Sequence, residues 1–419
     1  MISVFVDNPS VLASRIALVV NDGRDYTITF AAGIYTVVSG TFDINHSGGG
    51  SITLNTHCGG DVRFQGATSF NTSISIVAQR IAIHGIHFGD DIPYYITTST
   101  VRPVSVSIGG SASCTLAECL LTGCTFNGRS DITIYTSRDI AIYSRVRIID
   151  CRIEDGSPAD QAVIMTAPTS GSQYINASID NLYGNAKTGP NKFIDGGPAF
   201  SSHGYNSAAL WFKDLGGAST VDITRMRYTT EYFGNHSTGM TCFSVGHFNG
   251  EDVRLTFRDC TWVGRWRAGI AEDAFMTLGD VESSGPSYAV TDPPVAWPAR
   301  PRLDFDNCSF TFNVDFAETE SGSFHPGHMT LITFGSDVDC HLWNCRLVWG
   351  AGYHQLHVSP TTVFFLGTDG IYVATHDQST WAAGELAYNP FNDTIEVGTD
   401  LDNTRETPGL GWGRIPTLF

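Results

Sequence analysis

The chain has 419 residues, 42% of them hydrophobic and only 16% charged, with 44 glycines. That composition supplies a large core and many tight turns and excludes long charged helices, while the length allows either several ordinary domains or one continuous repetitive body. A balance of 24 basic against 42 acidic residues gives a net charge of −18, a field that repels phosphate backbones and anionic membranes, so neither nucleic-acid binding nor membrane insertion is expected.

The start, MISVFVDNPSVLASRIALVVNDG, offers only the apolar run Ile16 to Val20, preceded by Asp7 and Pro9, and predicts no export segment. Nothing later approaches the ~18 apolar residues of a membrane span. The chain is expected to be made and folded in a cytoplasm. From there one short row keeps returning: IHGIHF from Ile83, LTGCTF from Leu121, IDCRI from Ile149, ITRMRY from Ile223, FRDCTW from Phe257, FDNCSF from Phe305 and WNCRL from Trp343, with a weaker SIDNLYG near Asn181.

Aligned, these rows share a column holding Ile86, Cys124, Cys151, Met226, Cys260, Cys308 and Cys345, with Leu182 if the weaker row is counted. What these residues share is apolarity and moderate size, so the column predicts stacked core positions in which free cysteine acts as a small hydrophobe. Alternation ahead of it, as in Val253, Leu255 and Phe257, predicts a strand with one face inward. The residue before the column is Gly85, Gly123, Asp150, Arg225, Asp259, Asn307 or Asn344. Glycine, Asn and Asp tolerate left-handed backbone, so a bend between two short strands is expected there, and Asp150 and Asp259 read as structural.

The rows recur at unequal intervals, which excludes repeat families of constant unit length and fits a coil whose core strands recur while its surface loops vary. The expected architecture is all-β, a right-handed parallel β-helix with long loop insertions. Residues 1–45 form an N-terminal entry cap and first strands, 46–376 the body with insertions near 186–219 and 264–301, and 377–419 a C-terminal cap or arm. A cap is needed because a bare last coil is an unpaired sheet edge.

The stretches DYTITFAAGIYTV from Asp25, GSITLNTHCGGDVRFQGA and SISIVAQRIAIHGIHFGDD resemble the opening coils of the pectate-lyase-like β-helix superfamily. The likeness extends over roughly residues 15 to 375 and is closest in kind to bacteriophage tailspike and virion β-helix proteins. It implies a virion structural protein, tailspike-like or head-decorating, acting in attachment, assembly or host-glycan recognition. Other virion proteins, a surface polysaccharide and further copies of the chain, as in a trimer, are then the expected partners. The superfamily also contains polysaccharide lyases and glycoside hydrolases, so an enzyme is the alternative.

Carbohydrate chemistry needs two carboxyls across a sugar bond, or a base with a group that neutralises a uronate. Candidates are Glu272 and Asp273 in AED, Asp315, Glu318 and Glu320 in VDFAETE, and Glu154 with Asp155. The motifs N-T-D and G-H-G of polygalacturonases are missing; SHG at Ser202 and PGH at Pro326 are the nearest. Binding without cleavage asks for aromatic planes beside polar groups, which Arg265, Trp266 and Arg267 in WVGRWR offer, together with Trp349 and Tyr353. Trp262 and Trp343 are expected to pack inward. No cofactor is expected, and no metal: Cys114, Cys119 and Cys124, like Cys340, His341 and Cys345, lack paired ligand spacing, and in the run from Asp400 to Glu406 the glycine place of a calcium loop holds Arg405. The ten cysteines are expected to be reduced.

Overall fold

In the computed structural model the described residues are 1–38, 40–67, 72–90, 102–109, 114–127, 130–154, 163–188, 209–233, 243–249, 252–267, 273–278, 301–315, 329–334, 339–349, 354–357, 363–366, 386–389, 394–398 and 412–415. Their strands follow one another in threes, each joining its counterpart from the previous turn. Sheet A stacks twelve strands from Ile2–Val6 to Val363–Leu366, sheet B ten from Gly33–Val37 to Arg346–Trp349, and sheet C thirteen beginning with Asp43–Asn45. Every pairing in the body is parallel and nearly all are in unbroken register. This is the right-handed parallel β-helix that the alternation and the recurring rows predict.

The repeated row is the corner between sheets A and B. Gly85, Gly123, Asp150, Asn181, Arg225, Asp259, Asn307 and Asn344 all have positive φ, between 51° and 66°. One left-handed residue reverses which neighbouring coil the backbone bonds. The bend N–H donates forward, as from Asp259 to the Asp306 carbonyl at 3.0 Å, and the N–H two residues on donates backward, as from Thr261 to the Met226 carbonyl at 2.8 Å. The Asn side chains add a ladder: Asn181 Nδ2 donates to Asp150 Oδ1 at 2.7 Å, Asn307 Nδ2 to Asp259 Oδ1 at 2.6 Å and Asn344 Nδ2 to Asn307 Oδ1 at 3.0 Å. Arg225, a residue type that gains nothing from this backbone, is held by two bonds to the Asp180 carboxylate.

After the bend the column residues Ile86, Cys124, Cys151, Leu182, Met226, Cys260, Cys308 and Cys345 are all buried. Their thiols behave as packing groups that donate weakly to carbonyls, as Cys124 Sγ does to Ile83 O at 3.4 Å and Cys308 Sγ to Phe257 O at 3.5 Å. Neighbouring thiols and burial hold Cys151, Cys308 and Cys345 above the usual cysteine range, and burial does so for Cys119, so reactivity is low. Next to the column the aromatic rungs stack. Phe88 and Phe126 lie 5.5 Å apart, Trp262 and Phe310 4.8 Å, and Phe257 and Phe305 4.8 Å. Stacking of this kind adds to the area that each ring buries.

The two stretches read as excursions carry strands of the body. The first is flanked by Tyr183–Thr188 of sheet B and contains Leu210–Gly216 of sheet C; the second contains Asp273–Leu278, also of sheet C. At the N-terminus Leu12 and Ile16 of a one-turn helix, Leu12–Ile16, pack on the first core residues. At the other end the strands Leu386–Asn389, Thr394–Gly398 and Trp412–Ile415 join sheet C through antiparallel pairs. Among the described residues no helix is long and apolar enough to cross a membrane.

Candidate functional site

The residue after each column position stands at or next to the start of a sheet-B strand, alternating with the buried column. In register these residues are His87, Thr125, Arg152, Tyr183, Arg227, Thr261, Ser309 and Arg346. The strongest grouping is at its centre. Arg152 places its guanidinium carbon 5.2 Å from the centre of the Tyr183 ring, and Arg227 follows one strand further on. Arg152, Tyr183 and Arg227 are all exposed, Tyr183 at 47%. Arg152 Nε meets Glu154 Oε1 at 3.3 Å on its own strand, whereas Arg227 forms no ion pair with a described residue.

The charge of the sheet as a whole points the same way. The ten strands of sheet B contain seven cationic residues, Arg63, Arg152, Lys187, Arg227, Arg265, Arg267 and Arg346, against three acidic ones, Glu154, Glu231 and Asp315. The whole chain has the opposite balance, 24 against 42. Adjacent parallel strands lie ~4.8 Å apart, so Arg152, Tyr183 and Arg227 occupy about 10 Å along the helix axis.

The predicted aromatic and arginine candidates fall on this same sheet. Arg265, Trp266 and Arg267 do not open a loop after Trp262: the strand continues from Thr261 to Arg267, because its partners Arg227–Phe233 and Ser309–Asp315 are equally long. Arg265 is level with Glu231 and Asn313, Trp266 with Tyr232 and Val314, and Arg267 with Phe233 and Asp315. Trp349 ends the last sheet-B strand, level with Phe312. Asp273 instead begins a sheet-C strand, level with Met329, so Asp273 and Asp315 stand on different sheets. The side chains of these residues, and Glu272, Glu318, Glu320, Asp155 and Tyr353 altogether, lie outside the described residues, as does the run from Asp400 to Glu406.

Two other readings change. Trp262 is fully buried as expected, but Trp343 is 47% exposed, because it occupies the place before the bend, which faces outward in every row. Its register partner there is Asp306, and Arg258 is the next. The second change is Asp131, which no motif singled out. It begins a sheet-C strand at an outward position, yet is only 8% exposed. Burial pushes its carboxyl up to about 6, and Ser105 Oγ, donating at 3.0 Å, offsets part of that. Nearby, Asp90 is also buried and accepts the Arg102 N–H at 2.8 Å, and Ser130 Oγ accepts the Val104 N–H at 3.0 Å. These bonds tie the start of a sheet-C strand to the corner beneath it, which is structural work.

Tyr183 and Arg227 were both present in rows visible in the sequence, SIDNLYG and ITRMRY. The signal that finds them is the residue after the column, read down all rows at once. Among the described residues no group of three or more His, Cys, Asp or Glu is placed to hold a metal ion, and the eight cysteines described there are free.

No family model matches the chain, and no curated protein matches it. Among solved structures, the crystal structure of PfbA, a surface adhesin of Streptococcus pneumoniae, is similar over 98% of this chain and 96% of that one, at 8% identity and a TM-score of 0.32. The β-helix assignment rests on the strand register itself.

Proposed function

We propose that this chain is a tailspike-like virion component of a bacteriophage that recognises a host glycan along the outer face of sheet B. The observation that carries the reading is the exposed Arg152 guanidinium over the Tyr183 ring, with Arg227 level on the next strand, in a sheet whose strands are enriched in cations within an acidic chain. Aromatic rings with charged groups at fixed spacing are what a weakly hydrophobic, hydroxyl-rich polymer needs for orientation. A rigid parallel sheet presents them without a backbone ordering cost at the moment of binding. The virion role is supported by the resemblance of the opening coils. Assembly with other virion proteins and as a trimer belongs to the same proposal.

The test is a screen of the purified protein against neutral and anionic bacterial polysaccharides, reading both binding and the release of reducing or unsaturated ends. Binding without turnover, lost in Tyr183→Ala, is the expected result. Turnover abolished by Glu272→Ala or Asp315→Ala would replace recognition with polysaccharide cleavage, and binding to none of the polysaccharides would remove the glycan reading. Sedimentation equilibrium at micromolar concentration checks the trimer.

A further inference from the structure

Resting on that reading, we infer that the ligand is an anionic glycan whose carboxylate or sulfate groups are held between Arg152 and Arg227, with Tyr183 as the spacer that sets their separation. Three observations converge on this. First, the three residues are consecutive in register, so their order is built into the backbone and does not depend on side-chain adjustment. Second, the Arg152 guanidinium already lies against the Tyr183 ring at 5.2 Å, and its ion pair with Glu154, 3.3 Å from Nε to Oε1, engages one edge of it. The ring contact and the ion pair narrow the rotamers of a side chain that would otherwise lose more freedom on binding.

Third, Arg227 is exposed and forms no ion pair with a described residue, in a chain whose acidic residues outnumber its basic ones by 42 to 24. Arg145, Arg254 and Arg258 on sheet A are also exposed without an ion pair to a described residue, but none of them is level with an aromatic ring, as Arg227 is with Tyr183. A guanidinium is planar and offers paired donors that match a carboxylate or a sulfate, which an ammonium or an amide does not do as well. Two such forks on either side of a ring, about 10 Å apart by strand spacing, fit charged groups repeating along a linear polymer laid parallel to the helix axis. A neutral glycan would leave both guanidinia in water and gain only the ring contact.

The experiment is isothermal titration of the full chain with hyaluronan oligosaccharides, with carboxyl-reduced hyaluronan oligosaccharides as the neutral counterpart and with heparin oligosaccharides for the sulfate arm. The expected result is binding of at least one anionic probe, with affinity falling roughly ten- to hundredfold in Arg227→Ala, as for a lost charge-assisted hydrogen bond. Tyr183→Ala is expected to fall as well. Arg145→Ala, which removes an exposed arginine from sheet A, is the matched control and should bind as the wild type does. Equal affinity for the reduced and the acidic oligosaccharide would overturn the inference and leave glycan recognition standing. So would an equal loss in Arg145→Ala and Arg227→Ala, which would mean diffuse attraction and no site. Binding of none of the three probes would overturn the inference and count against glycan recognition with it.

Discussion

Sheets B and C each contribute ten parallel strands to the same coils, and the charges carried by those strands differ in sign. The sheet-B strands hold seven cations and three acids. The ten parallel strands of sheet C hold one cation, Lys213, and four acids, Asp43, Asp131, Asp214 and Asp273. The inner faces show no such contrast: both are uncharged and mostly apolar at near-zero exposure. The coil therefore specifies its interior and leaves the alternate positions free, and a difference in charge between two sheets built on one framework is not required by the fold. Function is the place to look for its cause.

The comparison can be broken most severely at the bend that feeds sheet B. One alanine inserted between Asp259 and Cys260 shifts the following strand by one residue and exchanges its inner and outer faces. Loss of soluble, cooperatively folding protein is the expected outcome, seen in expression yield and a circular-dichroism melt. The same insertion within residues 189–208, between a sheet-B and a sheet-C strand, changes a connection already long, and should cost no more than about 0.6 kcal/mol.

Next in size is the interior of sheet B. Trp262→Ala removes a fully buried ring stacked on Phe310 and should cost about 3–5 kcal/mol in a denaturant titration. On sheet C, Asp131 supplies a pH test. Its folded carboxyl titrates near 6 against an ordinary 3.8, so the stability linked to it is fully present below 3.8 and is lost as pH rises through 6. Asp131→Asn should therefore gain on the wild type by up to about 3 kcal/mol between pH 4 and pH 8. Melts at both pH values that gave the same difference would remove this account.

Smaller effects separate backbone from surface. Asn307→Val places a β-branched residue at φ 54° and should cost about 1–2 kcal/mol from the backbone alone, whereas Asn307→Gly keeps the bend and loses only the two exposed amide rungs, to Asp259 and from Asn344. Smallest of all, Arg227→Ala should leave the unfolding midpoint within roughly 0.5 kcal/mol of wild type, since an exposed side chain contributes little to folding. That variant then isolates what sheet B does from what holds it up.

Much of the architecture was legible in the row itself. The column of Ile86, Cys124, Met226 and their sisters announced a core position, and the Gly, Asn and Asp before it announced a left-handed bend. Trp343 was misread because its size outweighed its place; the same place holds His84, Thr122, Arg258 and Asp306, all outward. The site was harder to see, since a residue's sheet is not a local property. Arg152, Tyr183 and Arg227 are 31 and 44 residues apart by their numbering and become neighbours only once the register is known. Asp131 carried no signal at all, because its burial depends on what covers an outward position.

The bend that returns the chain from sheet A to sheet B also decides how the rod carries load. Its hydrogen bonds run from coil to coil, nearly along the axis, so each turn is fastened only to the turn before and the turn after. Tension on the two ends is then borne by those fastenings in series, and the weakest interface gives first, one coil peeling at a time. A sideways push on the flank is shared among all the stacked turns at once.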